Sequence, residues 1–272
     1  LGSATGAAAP CVYTFHSFCG WLLRRDGAAI GVPPGYKILN EAAAIGVVKG
    51  LLTGGGAAAD EAFDGNPKVV HDAMQVFKRE EALRRQGASA LLSTGRAVAR
   101  SAADDARLRA LLARYRAELA ASNPPALDYE DLLLRAYELL EQQPAVRRAY
   151  AGRFVHVLVD EFQDTCAVQC AIVGALGAAH GNVMPVGDTN QCIYTWRQAD
   201  RANIRHLRAA MGCTERVVRL SQNFRSTGAI LHCANAALSA PLPLLAADEA
   251  RPPADLHADA TGGGGGARLW TA

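Results

Sequence analysis

Two adjacent carboxylates, Asp160 and Glu161, stand directly after an apolar run at residues 154–159. Such a run is typical of a buried strand in a parallel sheet, and open α/β sheets bind their ligands at the carboxyl ends of the strands. One carboxylate there can hold a hydrated Mg²⁺ on a nucleotide, while its neighbour orients or deprotonates an attacking water. An Asp-Glu pair after a strand is common, so this interpretation depends on the segments that follow.

A second predicted strand, residues 183–188, also ends in polar groups that suit phosphate chemistry. The amide of Gln191, near the end of this strand, can contact a terminal phosphate and sense its loss. Two aromatic residues and an arginine follow, namely Tyr194, Trp196 and Arg197. Exposed rings beside an arginine form a stacking platform for unpaired bases, worth about 1–3 kcal/mol per base. The alternative is that these rings are ordinary core residues.

Two shorter segments carry groups of the same kind. In residues 222–226, Phe224 can stack on a purine ring, and Arg225 can pair with a phosphate in fork geometry. In residues 14–17, Thr-Phe-His-Ser stands at a predicted strand-to-helix turn, which is a suitable place to grip a nucleic-acid backbone. Taken alone, His16 is more often a hydrogen-bonded structural residue.

Alternating strands and helices predict an α/β protein with a parallel sheet. Besides 154–159 and 183–188, strands are predicted at the start of residues 11–18 and at 216–220. Hydrophobic periodicity and caps predict helices at 18–25, 41–52, 66–85, 104–121, 129–143, 165–176 and 227–238. We interpret the long helical stretch from about residue 36 to 125 as an insertion between sheet elements.

The composition sets limits but does not decide the function. The 272 residues are half hydrophobic and carry a net charge of +2, too small to indicate nucleic-acid binding by itself. Residues 78–116 hold ten Lys/Arg against four Asp/Glu, which is either a solvated helix surface or a phosphate-facing one. No apolar stretch approaches the roughly 20 residues that cross a bilayer, so no membrane partner is expected.

In their order along the chain, these segments resemble the motifs of the UvrD/Rep/PcrA group of superfamily 1 DNA helicases. Residues 14–17 match the family's Thr-Phe-His motif, and residues 127–133 match its Asp-aromatic-x-Asp-Leu-Leu segment. Residues 160–165 match its Walker B signature, and residues 187–197 match its third motif. The fourth motif and a stretch near the start of the second motor domain are matched by residues 222–226 and 267–271.

The resemblance implies ATP and Mg²⁺ as cofactors and gives roles to matching residues. Asp160 would hold Mg²⁺, Glu161 would activate water, and Gln191 would sense the γ-phosphate. Phe224 would stack on adenine, and Arg225 would contact the γ-phosphate. The residues that would line the path of single-stranded DNA or, for Arg197, help couple the two sites are Thr14, Phe15, His16, Tyr194, Trp196 and Arg197.

The implied fold is a RecA-like parallel-sheet motor domain, 1A, interrupted by a helical insertion, 1B, and followed by the start of a second RecA-like domain, 2A. The expected bounds are 1–35 and 126–218 for 1A, 36–125 for 1B, and 219–272 for 2A with a flexible Gly-rich tract at 262–266. The implied activity is ATP-driven 3′→5′ movement along single-stranded DNA. It would separate duplex at single-strand/double-strand junctions, in DNA repair or recombination. The implied location is intracellular, the nucleus in a eukaryote or the cytoplasm in a bacterium.

Two departures from the family pattern stand out. Gln198 occupies a position where the family usually has glycine, which could alter a DNA or nucleotide contact. No Gly-x-x-x-x-Gly-Lys-Ser/Thr phosphate loop occurs in the 272 residues. In the family this loop precedes the Thr-Phe-His motif, so we interpret the chain as a fragment that lacks the loop and the later motifs.

We expect the 272 residues alone not to hydrolyse ATP at a useful rate, because the backbone N–H groups and lysine of a phosphate loop hold the β- and γ-phosphates. Two other functions stay open: a non-catalytic nucleic-acid-binding remnant, and the helicase part of a helicase–nuclease. An assay of ATP turnover by the purified chain checks the expectation. DNA-stimulated turnover that Glu161→Gln abolishes would contradict it.

Overall fold

The structure is a computed structural model, and it describes residues 10–54, 65–91, 101–194, 199–200, 202–212, 217–239 and 257–258. The chain forms two compact units, Leu1–Tyr150 and Ala151–Ala272. Both units combine helices with small parallel sheets, so the α/β prediction is confirmed, although helices predominate. In the part of the chain that the structure describes, no helix is both long and apolar enough to span a membrane.

The first unit consists mainly of helices that begin at side-chain caps. Its elements are α1 (Phe15–Asp26), β1 (Lys37–Leu39), α2 (Glu41–Thr53), α3 (Pro67–Arg85), α4 (Ala102–Ala121), β2 (Ala126–Asp128), α5 (Tyr129–Gln142) and α6 (Pro144–Arg153), the last of which enters the second unit. A side-chain oxygen accepts an N–H of the first helical turn at each of Thr14, Asn40, Asn66, Ser101 and Asp128. Because such caps satisfy otherwise unpaired N–H groups, they fix where α1 to α5 start.

Two strands, β1 and β2, precede and follow the helical stretch in the sequence and pair with each other in parallel. β1 pairs with β2 in the register Lys37↔Ala126 to Leu39↔Asp128, although no strand is predicted from the sequence at either place. Between them, α2, α3 and α4 share one apolar core. The predicted stripe of α4 is buried in this core at Leu108, Leu111, Leu112, Tyr115 and Leu119.

A buried ion cluster fastens α3 of this stretch to the start of α5. The ammonium of Lys78, which is 0% exposed, donates to Asp128 Oδ2 at 2.7 Å and to Asp131 Oδ1 at 2.9 Å. Tyr115 Oη and Gln75 Nε2 donate to the same Asp128 oxygen at 2.8 and 3.0 Å. Burial acts to lower the pKa of Lys78, but the charges of Asp131 and Asp128 outweigh it and raise that pKa above its ordinary value. The cluster therefore holds a charged lysine inside the unit.

The second unit supplies the two predicted strands that end in polar residues. Its elements are β3 (Val157–Val159), α7 (Ala167–Gly177), β4 (Val183–Pro185), α8 (Ala202–Ala210), β5 (Gln222–Asn223), α9 (Gly228–Ser239) and β6 (His257–Ala258). β3 pairs with β4 in parallel, from Val157↔Val183 to Val159↔Pro185. A Cβ at Gly177 would lie 2.2 Å from Val183 Cγ2, so this glycine lets the end of α7 approach β4 closely.

Two strand predictions are wrong. Residues 10–14 lie in irregular structure, because the extended Thr14 caps α1 instead of pairing with a neighbouring strand. Residues 217–220 are also irregular, and the strand β5 begins later, at Gln222. The strand predicted at 154–159 is shorter than expected, since the regular pairing starts at Val157.

We expect Lys78→Met to lower the free energy of unfolding by about 3–5 kcal/mol, because it leaves two buried carboxylates without their cation. The measurement is urea unfolding of the purified chain at neutral pH, followed by circular dichroism. Lys68→Met is the matched control. Lys68 pairs with Glu41 and Asp72 on the surface, so its loss should cost at most about 1 kcal/mol. Equal losses for the two variants would contradict this account of the cluster.

Candidate functional site

The pairing of β3 and β4 continues beyond both strands and brings the two polar segments together. Val186 N donates to Val159 O at 2.8 Å, and Phe162 N donates to Val186 O at 2.9 Å. Asp160 and Glu161 therefore lie beside residues 186–188 at the carboxyl ends of two parallel strands. This is the edge at which parallel α/β sheets bind ligands.

Glu161 has an unusual backbone. With φ 51° and ψ 44° it lies in the left-handed region, the one non-glycine residue with positive φ among those the structure describes. Such a conformation costs on the order of 1–3 kcal/mol in a non-glycine residue and concentrates at functional sites. Asp160, exposed beside it, accepts the Glu161 N–H on Oδ1 at 3.0 Å. The turn thus presents two carboxylates where a strand has just ended.

A chain of hydrogen bonds joins Glu161 to Gln191. Gln163 Nε2 donates to Glu161 Oε2 at 2.8 Å, and Gln163 Oε1 accepts the Asp188 N–H at 3.1 Å. Gln191 Nε2 then donates to Asp188 Oδ2 at 2.8 Å. The structure therefore connects two predicted catalytic residues, Glu161 and Gln191, through Gln163 and Asp188. The sequence suggested no role in this contact for Gln163 or Asp188.

Gly187 is needed for this arrangement. A Cβ at position 187 would lie 2.3 Å from Gln163 Oε1 and 3.2 Å from the backbone nitrogens of Phe162 and Gln163. Real Cβ atoms do not approach other atoms at 2.3 Å, so a side chain here would displace the Gln163 amide. The Gly-Asp pair after an apolar run was the sequence signal for this close approach.

A third acidic residue, Asp164, lies three positions beyond Glu161, next to Gln163. Its Oδ1 is buried without a hydrogen-bond partner in the described residues. Burial, and then the charge of Glu161, raise the pKa of the Asp164 carboxyl above its ordinary value. Negative charge is thus concentrated around Glu161, which favours a cationic ligand at this edge of the sheet.

Phe224 and Arg225 lie on a separate turn that follows β5. Asn223 Oδ1 accepts the N–H groups of Arg225 and Ser226, each at 2.8 Å, and so holds the turn. Phe224 is half-buried and Arg225 is exposed. Their predicted nucleotide contacts are not tested by these positions and stay predictions.

In the first unit, the Thr-Phe-His segment forms the exposed start of α1. Thr14 caps the helix, Phe15 is half-buried, and the ring of His16 packs edge-on against Tyr129 with centroids 5.4 Å apart. Burial is the main cause that lowers the pKa of His16, Arg79 lowers it further, and Glu130 opposes both. His16 is therefore mainly a neutral imidazole near neutral pH.

Tyr194 and Tyr13 are exposed aromatic residues near these segments. Tyr194 is 38% exposed, which is compatible with the predicted stacking role and less so with a core role. Trp196, Arg197 and Gln198 lie outside the described residues. Tyr13, which sequence analysis overlooked, is 43% exposed and stacks on Trp21 with centroids 5.7 Å apart. Its position directly before Thr14 is the sequence feature that places it beside the Thr-Phe-His segment.

Many of the basic residues at 78–116 make contacts within the protein. Beyond Lys78, Arg79 forms a two-bond ion pair with Glu130, and carboxylates of the helical stretch pair with Arg84, Arg85, Arg107 and Arg116. Arg109 lies over the Phe77 ring, and Arg114 donates to Leu51 O at 3.1 Å. Of the described cations in this segment, Lys78 and Arg79 pair with carboxylates from outside it, so the intramolecular pairs neutralise only part of the surplus.

The family model of the UvrD/REP helicase N-terminal domain matches residues 3–211, which include the Thr-Phe-His segment, the Asp160–Glu161 turn and Gln191. The chain belongs to the UvrD/REP helicase family. The match covers nearly all of the first unit and half of the second, and it confirms the resemblance on which the site roles were based. The family is one of ATP-dependent, DNA-binding enzymes.

Curated relatives agree with this family and cover the chain to a similar extent. The chain is 32% identical over 225 residues to DNA helicase II of Haemophilus influenzae. It is 31% identical over 227 and 226 residues to the ATP-dependent DNA helicase PcrA of Staphylococcus aureus and of Bacillus subtilis. Each alignment covers 82% of this chain but 28% of the relative. The chain therefore corresponds to less than a third of the length of these proteins.

The residues at the carboxyl edge of β3 suit a magnesium-bound nucleotide. Mg²⁺ takes oxygen ligands and usually keeps several waters, with one or two carboxylates and substrate phosphates completing its shell. Asp160 offers an exposed carboxylate, and Asp164 adds an unpartnered oxygen nearby. Within the described ranges, no group of three or more His, Cys, Asp or Glu is arranged to hold a metal alone. The donor set thus fits an ion shared with phosphate and water.

We expect the pKa of His16 to lie below about 6.5, the ordinary value for histidine, because burial disfavours the imidazolium. Glu130→Gln should lower the His16 pKa further, and Arg79→Gln should raise it, since the two charges act in opposite directions. Titration of the His16 ring protons by NMR in the purified chain measures all three values. Shifts in the same direction for both variants would contradict the assigned electrostatics.

Proposed function

We propose that the protein containing this chain is an ATP-dependent DNA helicase that couples ATP hydrolysis to translocation on single-stranded DNA. The observation that carries the proposal is the hydrogen-bonded connection from Glu161 through Gln163 and Asp188 to Gln191. It links a carboxylate placed to activate water with an amide placed to contact a terminal phosphate. The names of the relatives, DNA helicase II and PcrA, support the choice of DNA.

In the proposed site, this chain's residues divide the work of hydrolysis. Glu161 accepts a proton from the attacking water. Gln191 contacts the γ-phosphate, and Arg225 adds positive charge to the transferring phosphoryl group. Mg²⁺, held by Asp160 when the nucleotide is bound, would neutralise phosphate charge. Phe224 stacks on the adenine ring.

For DNA, we propose that Thr14, Phe15 and His16 contact the single strand in one unit and that Tyr194, Trp196 and Arg197 do so in the other. The neutral His16 can offer a ring N–H to a phosphate without the cost of holding a buried charge. The proposed direction is 3′→5′, with action at single-strand/double-strand junctions in repair or recombination inside the cell.

The proposed domain division follows from the same family. Residues 36–125 would be the helical insertion 1B within motor domain 1A, with residues 219–272 beginning domain 2A. The parallel pairing of β1 with β2 supports an insertion, because the two strands flank the helical stretch and lie side by side.

We expect Phe15→Ala to weaken binding of an oligo-dT strand to the purified chain by about 5- to 100-fold, the effect of losing one base-stacking ring. Fluorescence anisotropy with labelled oligo-dT measures the dissociation constant. Val69→Ala, at an exposed apolar position of α3, is the matched control and should bind like the parent chain. Parent-like binding by Phe15→Ala would contradict the proposed contact, and no binding by the parent would contradict the DNA proposal.

We expect Glu161→Gln in the complete protein to reduce DNA-stimulated ATP hydrolysis by about 10²–10⁴-fold, the usual effect of losing a general base. Binding of ATP and single-stranded DNA should persist, because the amide keeps the shape of the side chain. Steady-state hydrolysis with and without oligo-dT measures the loss. Glu118→Gln, an exposed position on α4, serves as the control. Unchanged hydrolysis in Glu161→Gln would exclude the proposed role.

A further inference from the structure

Gln163 has no role in the proposed chemistry, yet its side chain is buried in the candidate site and hydrogen-bonded at both ends of its amide. It is 6% exposed and lies in the short 3₁₀ turn Phe162–Asp164 that follows β3. Its carboxamide contacts Glu161 on one side and the backbone of Asp188 on the other. A buried amide that uses both of its ends in this way fixes the distance between the groups that it bridges.

The direction of the Gln163 amide follows from its partners. The Asp188 N–H can only donate, so the amide oxygen must face it at 3.1 Å. The amide nitrogen therefore faces Glu161, whose ionised carboxylate can only accept, at 2.8 Å. No flipped orientation satisfies both contacts, so the amide has one orientation between Glu161 and Asp188.

The Asp188 end of the bridge continues to the proposed phosphate sensor. The Asp188 carboxylate accepts the Asn190 N–H on Oδ1 at 2.9 Å and Gln191 Nε2 on Oδ2 at 2.8 Å. Any shift of Gln191 that moves Asp188 is thus passed through the Asp188 N–H to Gln163 and from there to Glu161. Gly187 leaves the space that the bridge needs, since a Cβ there would overlap Gln163 Oε1.

We propose that Gln163 is a positioning residue that sets the orientation of the Glu161 carboxylate and makes it depend on the position of the Asp188–Gln191 segment. This inference rests on the proposed function and deepens it, because it states how phosphate sensing at Gln191 reaches the water-activating group. Gln163 itself touches neither water nor phosphate in this account.

The test uses the complete protein and two substitutions at position 163. Gln163→Ala removes both hydrogen bonds and should lower kcat for DNA-stimulated ATP hydrolysis about tenfold or more, with little change in the KM for ATP. Gln163→Glu can still accept from Asp188 but places a second carboxylate against Glu161. It should lower kcat at least as much as Gln163→Ala, again with little change in the KM for ATP, because a carboxylate cannot donate to Glu161 and repels its charge.

A matched control separates positioning from general stability. Gln169 is a glutamine of the same unit whose Oε1 accepts the Cys166 N–H at 2.8 Å at the start of α7. Gln169→Ala should lower the melting temperature but leave kcat unchanged. A structural role alone for Gln163 would make the two alanine variants alike, and that result would overturn the proposal.

Gly187→Ala provides a second, independent arm. In the parent protein it should reproduce the kcat loss of Gln163→Ala, because the new methyl group displaces the amide. In the Gln163→Ala background it should add less than about threefold, since the overlapping atom is gone. Full additivity of the two losses would overturn the proposal. Absence of DNA-stimulated hydrolysis in the parent would instead count against the proposed function.

Discussion

The parallel pairing of β3 with β4 is the constraint on which the candidate site depends. Its register places Val159 opposite Pro185, so the residues after both strands emerge at one edge. Because side chains alternate along a strand, a slip of one residue would turn the set at that edge to the opposite face. The pairing then continues through Val186 and Phe162, which leaves the left-handed Glu161 on the turn between these contacts.

In the first unit, the packing of α3 against α5 depends in a comparable way on the buried ammonium of Lys78. Lys78 joins α3 to the start of α5, where Asp128 caps the helix and also receives three side-chain hydrogen bonds. The ion pair of Arg79 with Glu130 adds a second connection between the same two helices. Tyr129 stands between these anchors and packs against His16. The start of α1 carries the proposed DNA contacts. It thus packs against α5, which the buried charges fasten to α3.

The sequence predicts what is encoded locally. The cap at Asp128, together with the leucine stripes of α4 and α5, defines helices to within a few residues. Strand lengths are less predictable, because an apolar run such as residues 154–159 becomes a strand only where a neighbour pairs with it. The β1–β2 pair is missed for a related reason: its two strands lie far apart in sequence, and neither has a long apolar run.

The same limit applies to the candidate site. Asp160, Glu161 and Gln191 are recognisable because their residue types and motif positions point to nucleotide chemistry. The importance of Gln163 depends on the register that sets its amide against the Asp188 N–H, which no local pattern specifies. Likewise, the basic character of residues 78–116 is visible in the sequence, whereas its partners, such as Glu130 for Arg79, come from the fold.

The account's central claim is that the carboxyl edge of β3 and β4 is a nucleotide-hydrolysis site. A crystal structure of the complete protein with Mg²⁺ and a non-hydrolysable ATP analogue tests it most directly. We expect Asp160 to bind Mg²⁺, directly or through one water, and Gln191 Nε2 to lie within about 3 Å of a γ-phosphate oxygen. A nucleotide bound elsewhere, with no phosphate facing Asp160 and Glu161, would contradict the account.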